Sequence, residues 1–295
     1  MSLETLDRLV SSLIPARDPV RLMGGEPTLH SRYPQIIRML KAKNHEVVVF
    51  TNGLNKVLRE TVPYVPDRIL VNVNNWKSYS KEQQIAIHEN LAFFGGQASL
   101  GFTILTPQFD LTKHRDLILE HHLQPIIRLG LAQPIIGGDN AFLPWSALPE
   151  AHKQVADWAE ALAKDGIRLS FDCGFMRSHF KDEDFEKLVR AHSMLRFDCT
   201  PNIDVGPGLR IWRCFAFSAC EGQGWEDFEN LENVQSWFTR QDALLRRSIQ
   251  DDDQKPSLLT HDGCLARHWN RAENRCTLTE MNFINNKLSM ETIYE

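Results

Sequence analysis

Between Val20 and Cys173 the chain repeats one pattern, a short apolar run followed by an amphipathic stretch, and this alternation constrains the fold more than any other feature of the sequence. The runs "DPVRLM", "EVVVFTNG", "RILVNVN", "SLGFTIL", "QPIIRLGLA" and "IRLSFDC" are strand-length and rich in β-branched residues. Between them, "RYPQIIRMLKAKN", a stretch near 54–61, "SKEQQIAIHENLAFFG", "DLTKHRDLILEHH" and "PWSALPEAHKQVADWAEALAKDG" carry apolar residues at helical spacing. Strands separated by helices pair in parallel through crossovers, so the sequence predicts an α/β fold with a parallel sheet, open or closed into a barrel. The strands read as apolar on both faces, as a helix-covered sheet requires. A further amphipathic helix over 3–14, with Ser2 as its N-cap, precedes the first of them.

After about Ser178 the rhythm breaks. "NIDVGPGLRIWRCF" reads as a hairpin about Gly-Pro-Gly, and "DFENLENVQSWFTRQDALLRRSIQ" as a long helix. The remainder is polar and cysteine-bearing. The expected division is therefore 1–177 for the α/β part and 178–295 for a smaller extension. A net charge of −5 gives no reason to expect nucleic acid or an anionic membrane as a partner. No apolar run approaches the length of a membrane span, and the N-terminus lacks a basic segment followed by a long apolar one. A cytoplasmic location is the resulting expectation.

Three strand ends carry small polar residues: "GGEP" at Gly24–Pro27, "TNG" at Thr51–Gly53, and "NVNN" at Asn72–Asn75. Parallel sheets place ligands at the C-terminal ends of their strands. Paired glycines let the backbone turn sharply there and let a ligand approach it. Glu26 would project over that mouth, where a carboxylate suits an ammonium group. An ordinary βα turn with a surface glutamate is the competing reading. All six cysteines lie at or after Cys173, in the last 123 residues. That placement favours a metal or cluster module in the C-terminal part, although buried idle thiols would look the same.

"GGEPTLH" followed one βα unit later by "TNG", then "ILVNVNN", "LGFTIL", "IIRLGLAQPI", "LSFDCGF" and "CTPNIDVGPGLRIWRCF", resembles the radical S-adenosylmethionine (SAM) superfamily. The resemblance extends to the branch with a SPASM- or twitch-like C-terminal extension. It implies a partial (β/α)6 barrel in which Gly24, Gly25, Glu26 and Pro27 match the motif that binds the methionine amino group of SAM. Thr51, Asn52 and Gly53 match the next strand end, and Arg128, expected at the end of the last barrel strand, is a candidate for ribose or carboxylate. A structural ion pair is its alternative role. Cys173, Cys199, Cys214, Cys264 and Cys276 fall where the family puts auxiliary cluster ligands, and the first three with Cys264 or Cys276 could hold one [4Fe–4S] cluster. The set His261, Cys264, His268 and Cys276 offers a zinc alternative, ranked below iron–sulfur because its spacing is not a standard zinc pattern. His121–His122 ends a predicted helix and is given no functional role.

The family's first barrel strand ends in CxxxCxxC, whose thiolates hold the primary [4Fe–4S] cluster. This chain has no cysteine before Cys173, and five of its apolar runs count as barrel strands against the family's six. The primary cluster is therefore not supported by these residues, since soft iron needs thiolates. The sequence would be a shortened one or a cluster-less relative, and the expected barrel lacks its first strand. The resemblance implies a SAM-dependent enzyme acting on a peptide or small protein. The alternative is a non-catalytic subunit that binds SAM, a peptide or a partner enzyme.

Overall fold

A computed structural model describes residues 1–15, 17–135, 138–199, 202–218, 223–252 and 264–267. In chain order the elements are α1 (Leu3–Leu13), β1 (Val20–Leu22), α2 (Tyr33–Ala42), β2 (Val47–Thr51), α3 (Val57–Glu60) and β3 (Arg68–Asn72). They continue with α4 (Lys81–Phe94), β4 (Ala98–Ile104), α5 (Thr112–His121), β5 (Ile126–Leu131), α6 (Leu148–Ala163), β6 (Arg168–Phe171) and α7 (Asp182–Arg190). The last are β7 (Asp204–Val205), β8 (Arg210–Trp212), β9 (Gln223–Gly224) and α8 (Leu231–Asp252).

Strands β1 to β6 form one parallel sheet in sequence order, the arrangement that short right-handed crossovers through α2–α6 produce. The sheet holds six strands where the sequence counted five in the barrel, because Arg168–Phe171 joins β5 in register and continues the same sheet. Local signals set the helix starts. Ser2 accepts from the Thr5 amide at the head of α1, and Ser80 with Gln83 makes a reciprocal capping box on α4.

Burial alternates along the strands. Val49 with Ile69, then Val71, Leu100, Ile127 and Leu169, then Phe102, Leu129 and Phe171 are all buried and lie side by side in register. They form the face against the helices, and each fully buried Leu or Ile there contributes about 1.5–3 kcal/mol over an exposed one. The opposite face is half-buried and partly polar, with Phe50, Asn72, Arg128 and Ser170 along it. The expectation of strands apolar on both faces is thus corrected: one face is buried and apolar, and the other, on the inner, concave side of the partial barrel, mixes Phe50 and Leu70 with Asn72, Arg128 and Ser170.

The hairpin about Gly-Pro-Gly forms as β7 and β8, with β9 added antiparallel to β8. A second apolar cluster joins Ile211, Trp225, Val234 and Phe238 to Leu9 and Leu13 of α1. Val10 of the same helix packs in the main core, so α1 is wedged between barrel and hairpin. Beyond Ser178 the chain keeps contact with the barrel: α7 lies along α6, and Met194 bridges in parallel to Ser170.

Candidate functional site at the mouth of the sheet

The C-terminal ends of β1 and β2 are tied together by one side chain. Glu26 caps the single helical turn Pro27–Leu29. Its Oε1 accepts from the Thr28 amide (3.1 Å), the Thr28 hydroxyl (2.7 Å) and the Thr51 hydroxyl (2.8 Å), and its Oε2 accepts from the Asn52 amide (2.7 Å). The two sequence motifs thus meet on one carboxylate. Gly24 has φ +138°, which L side chains rarely adopt, and a Cβ on either Gly24 or Gly25 would meet nothing within 4 Å. The glycine pair faces open space. Gly53 also needs to be glycine, at φ +72° with Val71 Cγ1 2.7 Å from an added Cβ.

Sequence reasoning missed the residues that hold this loop from below. Asn90, fully buried in α4, donates to the Gly53 (2.8 Å) and Asn55 (3.2 Å) carbonyls, and Asn55 donates to the Thr28 carbonyl (3.1 Å). A polar residue inside the apolar run "ENLAFF" was the available signal, because a buried amide must find partners.

On the concave face, Asn72, Gly101, Arg128 and Ser170 are consecutive partners across β3 to β6. A Cβ on Gly101 would sit 2.2 Å from Asn72 Oδ1, so the glycine makes room for that amide. Arg128 is not at the end of the last strand. It is the third residue of β5, with β6 beyond it, because the run "IIRLGL" continues the strand for three more residues. Its guanidinium donates to Asp172 Oδ2 at 2.8 Å and lies 4.8 Å from the Phe50 ring centroid, so Arg128 and Asp172 form a half-buried ion pair in the concavity.

Cys173 lies two residues past β6, and Cys199, Cys214 and Cys264 gather near it from three other segments, close enough for their charges to interact. All four are free thiols. The buried Cys264 thiol hydrogen-bonds to Cys199, which pulls the Cys199 pKa down and pushes that of Cys264 up. Arg213, buried, donates from Nη1 to Cys199 Sγ at 3.5 Å and adds to the same lowering. Its other amino group pairs with Asp242, which also accepts from Arg246 Nε at 2.9 Å. Burial, then Asp172, pushes Cys173 up to about 12, and burial raises Cys214. Cys276, and His261 and His268 of the zinc alternative, lie outside the described residues.

No family model and no curated protein sequence matches the chain. Solved structures do. Polyhistidine-tagged anSMEcpe with bound AdoMet aligns with a TM-score of 0.53 at 14% identity, over 78% of this chain and 67% of that one. Streptococcus suis SuiB bound to precursor peptide SuiA aligns with a TM-score of 0.54 at 13% identity, over 79% of this chain and 57% of that one. Both are radical SAM enzymes. The chain has the radical SAM fold. It spans about three-fifths to two-thirds of the length of these neighbours.

Two groups implied by the radical SAM fold can be tested against the residues. No thiol precedes Cys173 in this sequence, so none of the residues before it would hold a primary cluster. Cys173, Cys199, Cys214 and Cys264 are soft donors of the type an auxiliary iron–sulfur group would need. A single tetrahedral zinc with bonds of about 2.3 Å would need its sulfurs about 3.8 Å apart. Among the described residues no three cysteine sulfurs lie within 4.8 Å of one another, so the thiols as placed do not form the tetrahedron that one zinc ion needs. No described helix is long and apolar enough to cross a membrane.

Proposed function

We propose that this chain binds SAM at the mouth of the sheet and serves the modification of a peptide or small protein. The observation that carries this reading is the carboxylate clamp of Glu26 across Thr28, Thr51 and Asn52, beside two glycines that leave the mouth open. A fixed carboxylate next to bare backbone is what an α-amino acid's ammonium group requires. Support comes from anSMEcpe, whose structure contains AdoMet, and from SuiB, whose structure contains a precursor peptide.

In this reading residues 1–177 carry the nucleotide site and 178–295 the extension. Cys173, Cys199, Cys214 and Cys264 would hold an auxiliary [4Fe–4S] cluster, which supplies one-electron chemistry when bound. Arg213 would balance part of the thiolates' charge, and the burial of Cys199 and Cys264 would keep water from them. Gly24, Gly25 and Pro27 would shape the backbone around the methionine end. Arg128, engaged by Asp172, is assigned to shaping the cavity rather than to a carboxylate.

A second reading gives the chain a non-catalytic role. A chain that binds SAM without its own primary cluster would act as a binding subunit for a partner enzyme. Calorimetry with SAM on the full chain, reconstituted anaerobically with iron and sulfide, tests the shared core of both readings. Binding with one site per chain supports it, and no heat in the presence of a loaded auxiliary cluster removes it. Reductive cleavage of SAM by this chain alone would discard the binding-subunit reading.

A further inference from the structure

On the outer surface, where α4 and α5 lie against each other, three metal-type ligands converge away from the mouth. His88 Nδ1 is 2.8 Å from His121 Nε2, and Glu120 Oε1 is 3.3 Å from the first and 3.7 Å from the second. Among the described residues this is the one group of three such side chains whose ligand atoms all lie within 4.8 Å of one another. They line one side of an open depression with Ile85, Glu89 and Ala92. Nothing in the sequence pointed to it, because His88 and the Glu120–His121 pair are 32 residues apart and meet only through helix packing.

The spacing fits one ion. The three separations define a triangle of circumscribed radius about 1.9 Å, so a point about 2.1 Å from all three atoms exists, about 0.8 Å off their plane. A tetrahedral ion with bonds of that length stands about 0.7 Å off the plane of three ligands. The nitrogens need to part by about 0.6 Å to reach the tetrahedral edge, a small rotation for the His88 ring, 30% exposed beside the 11% exposed His121. Without an ion, one ring must spend an N–H on the other. With one, both facing nitrogens become acceptors and each ring keeps its proton on the far nitrogen.

The surroundings suit a cation. Glu120 and His121 are in the last turn of α5, where the helix dipole is negative. The Trp76 ring stands edge-on to His88 at 5.5 Å and fixes its orientation. Lys113, a cation on the same side, has its ammonium over the Trp76 ring at 4.7 Å. Glu89 is engaged by Arg59, which leaves Glu120 as the carboxylate at the ligand triangle.

We propose that His88 Nδ1, His121 Nε2 and a Glu120 carboxylate oxygen form a binding site for a zinc-class divalent cation, with the fourth position left to water. Two imidazoles and a carboxylate are a donor set for zinc, cobalt(II) or nickel(II), and too nitrogen-rich for magnesium or calcium. The site is independent of the nucleotide and of the thiols.

The test titrates full-length, EDTA-stripped protein with cobalt(II), whose visible spectrum separates nitrogen and oxygen donors from thiolates. One equivalent is expected to bind without a thiolate charge-transfer band, to be displaced by zinc, and to weaken at least about tenfold in His88→Gln and in Glu120→Gln. Both side chains are partly exposed, so the variants should match the wild type's Tm in EDTA, while zinc raises the Tm of the wild type alone. Absence of thiolate-free cobalt binding in the wild type, or a loss below about tenfold in both correctly folded variants, overturns the proposal.

Discussion

Glu26→Ala removes the acceptor of four donors at once, and the structure sets what that costs. Thr28 and Thr51 are 4% and 3% exposed, so their hydroxyls cannot simply turn to bulk water. The Thr28 and Asn52 amides lose a charged acceptor as well. Hydrogen bonds to a charged group are worth about 1.5–3 kcal/mol each, but four sharing one carboxylate are not additive, and the hydroxyls can find partial replacements. A loss of about 3 kcal/mol is expected, which for a chain of this size lowers Tm by about 6–9 °C. Glu26→Gln keeps one oxygen for the three donors now on Oε1 but turns an N–H towards the Asn52 amide, for a loss of about 1–2 kcal/mol. Urea unfolding of the wild type and both variants, with SAM calorimetry alongside, measures the two roles separately. If both variants unfold within about 0.5 kcal/mol of the wild type, the carboxylate does not clamp the strand ends in solution. The reasoning from Glu26 would then fail.

Gly24→Ala should destabilise by about 1–3 kcal/mol through its φ of +138° alone, whereas Gly25→Ala, with equally open space and no positive φ, should be close to neutral; paired thermal melts decide it. Burial raises the Asp204 carboxyl to about 6, so between its ordinary value near 4 and 6 the folded state holds a proton that the unfolded chain has released, and stability falls as pH rises. Asp204→Asn should therefore gain about 1 kcal/mol on the wild type between pH 5 and pH 7, read from urea midpoints at the two pH values. After anaerobic reconstitution, Cys199→Ser and Cys264→Ala should each lose most bound iron and sulfide relative to the wild type, while Cys220→Ser should keep both within about a tenth.

The sheet was legible because each strand announces itself locally, in β-branched runs bounded by glycine, asparagine or proline, and the order followed from the crossovers. The strand face was not. "VVVFT" and "RILVN" read as apolar on both faces, yet Phe50, Leu70 and the polar Asn72 share the concave side, and only the register across the sheet reveals which residues do so. Arg128 was misplaced for a related reason: where a strand stops depends on its neighbours, and β6 extends the pairing past the position where the sequence put the barrel's edge. "GGEP" and "TNG" were legible as a pair because both are backbone requirements written in residue type. Asn90, Asp172, Arg213 and the triangle of His88, Glu120 and His121 were not, since each acts through a partner distant in sequence or through a helix face that sequence spacing does not show.

The clamp at Glu26 raises an apparent conflict, since a carboxylate that satisfies its own fold has less left for a ligand. The count of lone pairs resolves it. Two carboxylate oxygens offer about four acceptor directions. Three of the donors converge on Oε1, whereas among the described residues Oε2 takes only the Asn52 amide, which leaves one direction of Oε2 to a ligand. A ligand ammonium needs no more than that, and it meets a charge already oriented by bonds to the end of β2 and to its own helical turn, with little side-chain entropy left to lose on binding. Thr51 then acts twice over, since its hydroxyl donates to Glu26 at 2.8 Å and accepts from the Gly53 amide at 3.1 Å. Its loss would free the carboxylate and loosen the glycine turn together. The structural bonds and the proposed ligand contact are thus parts of one arrangement, in which the fold fixes the direction of the single acceptor it leaves open.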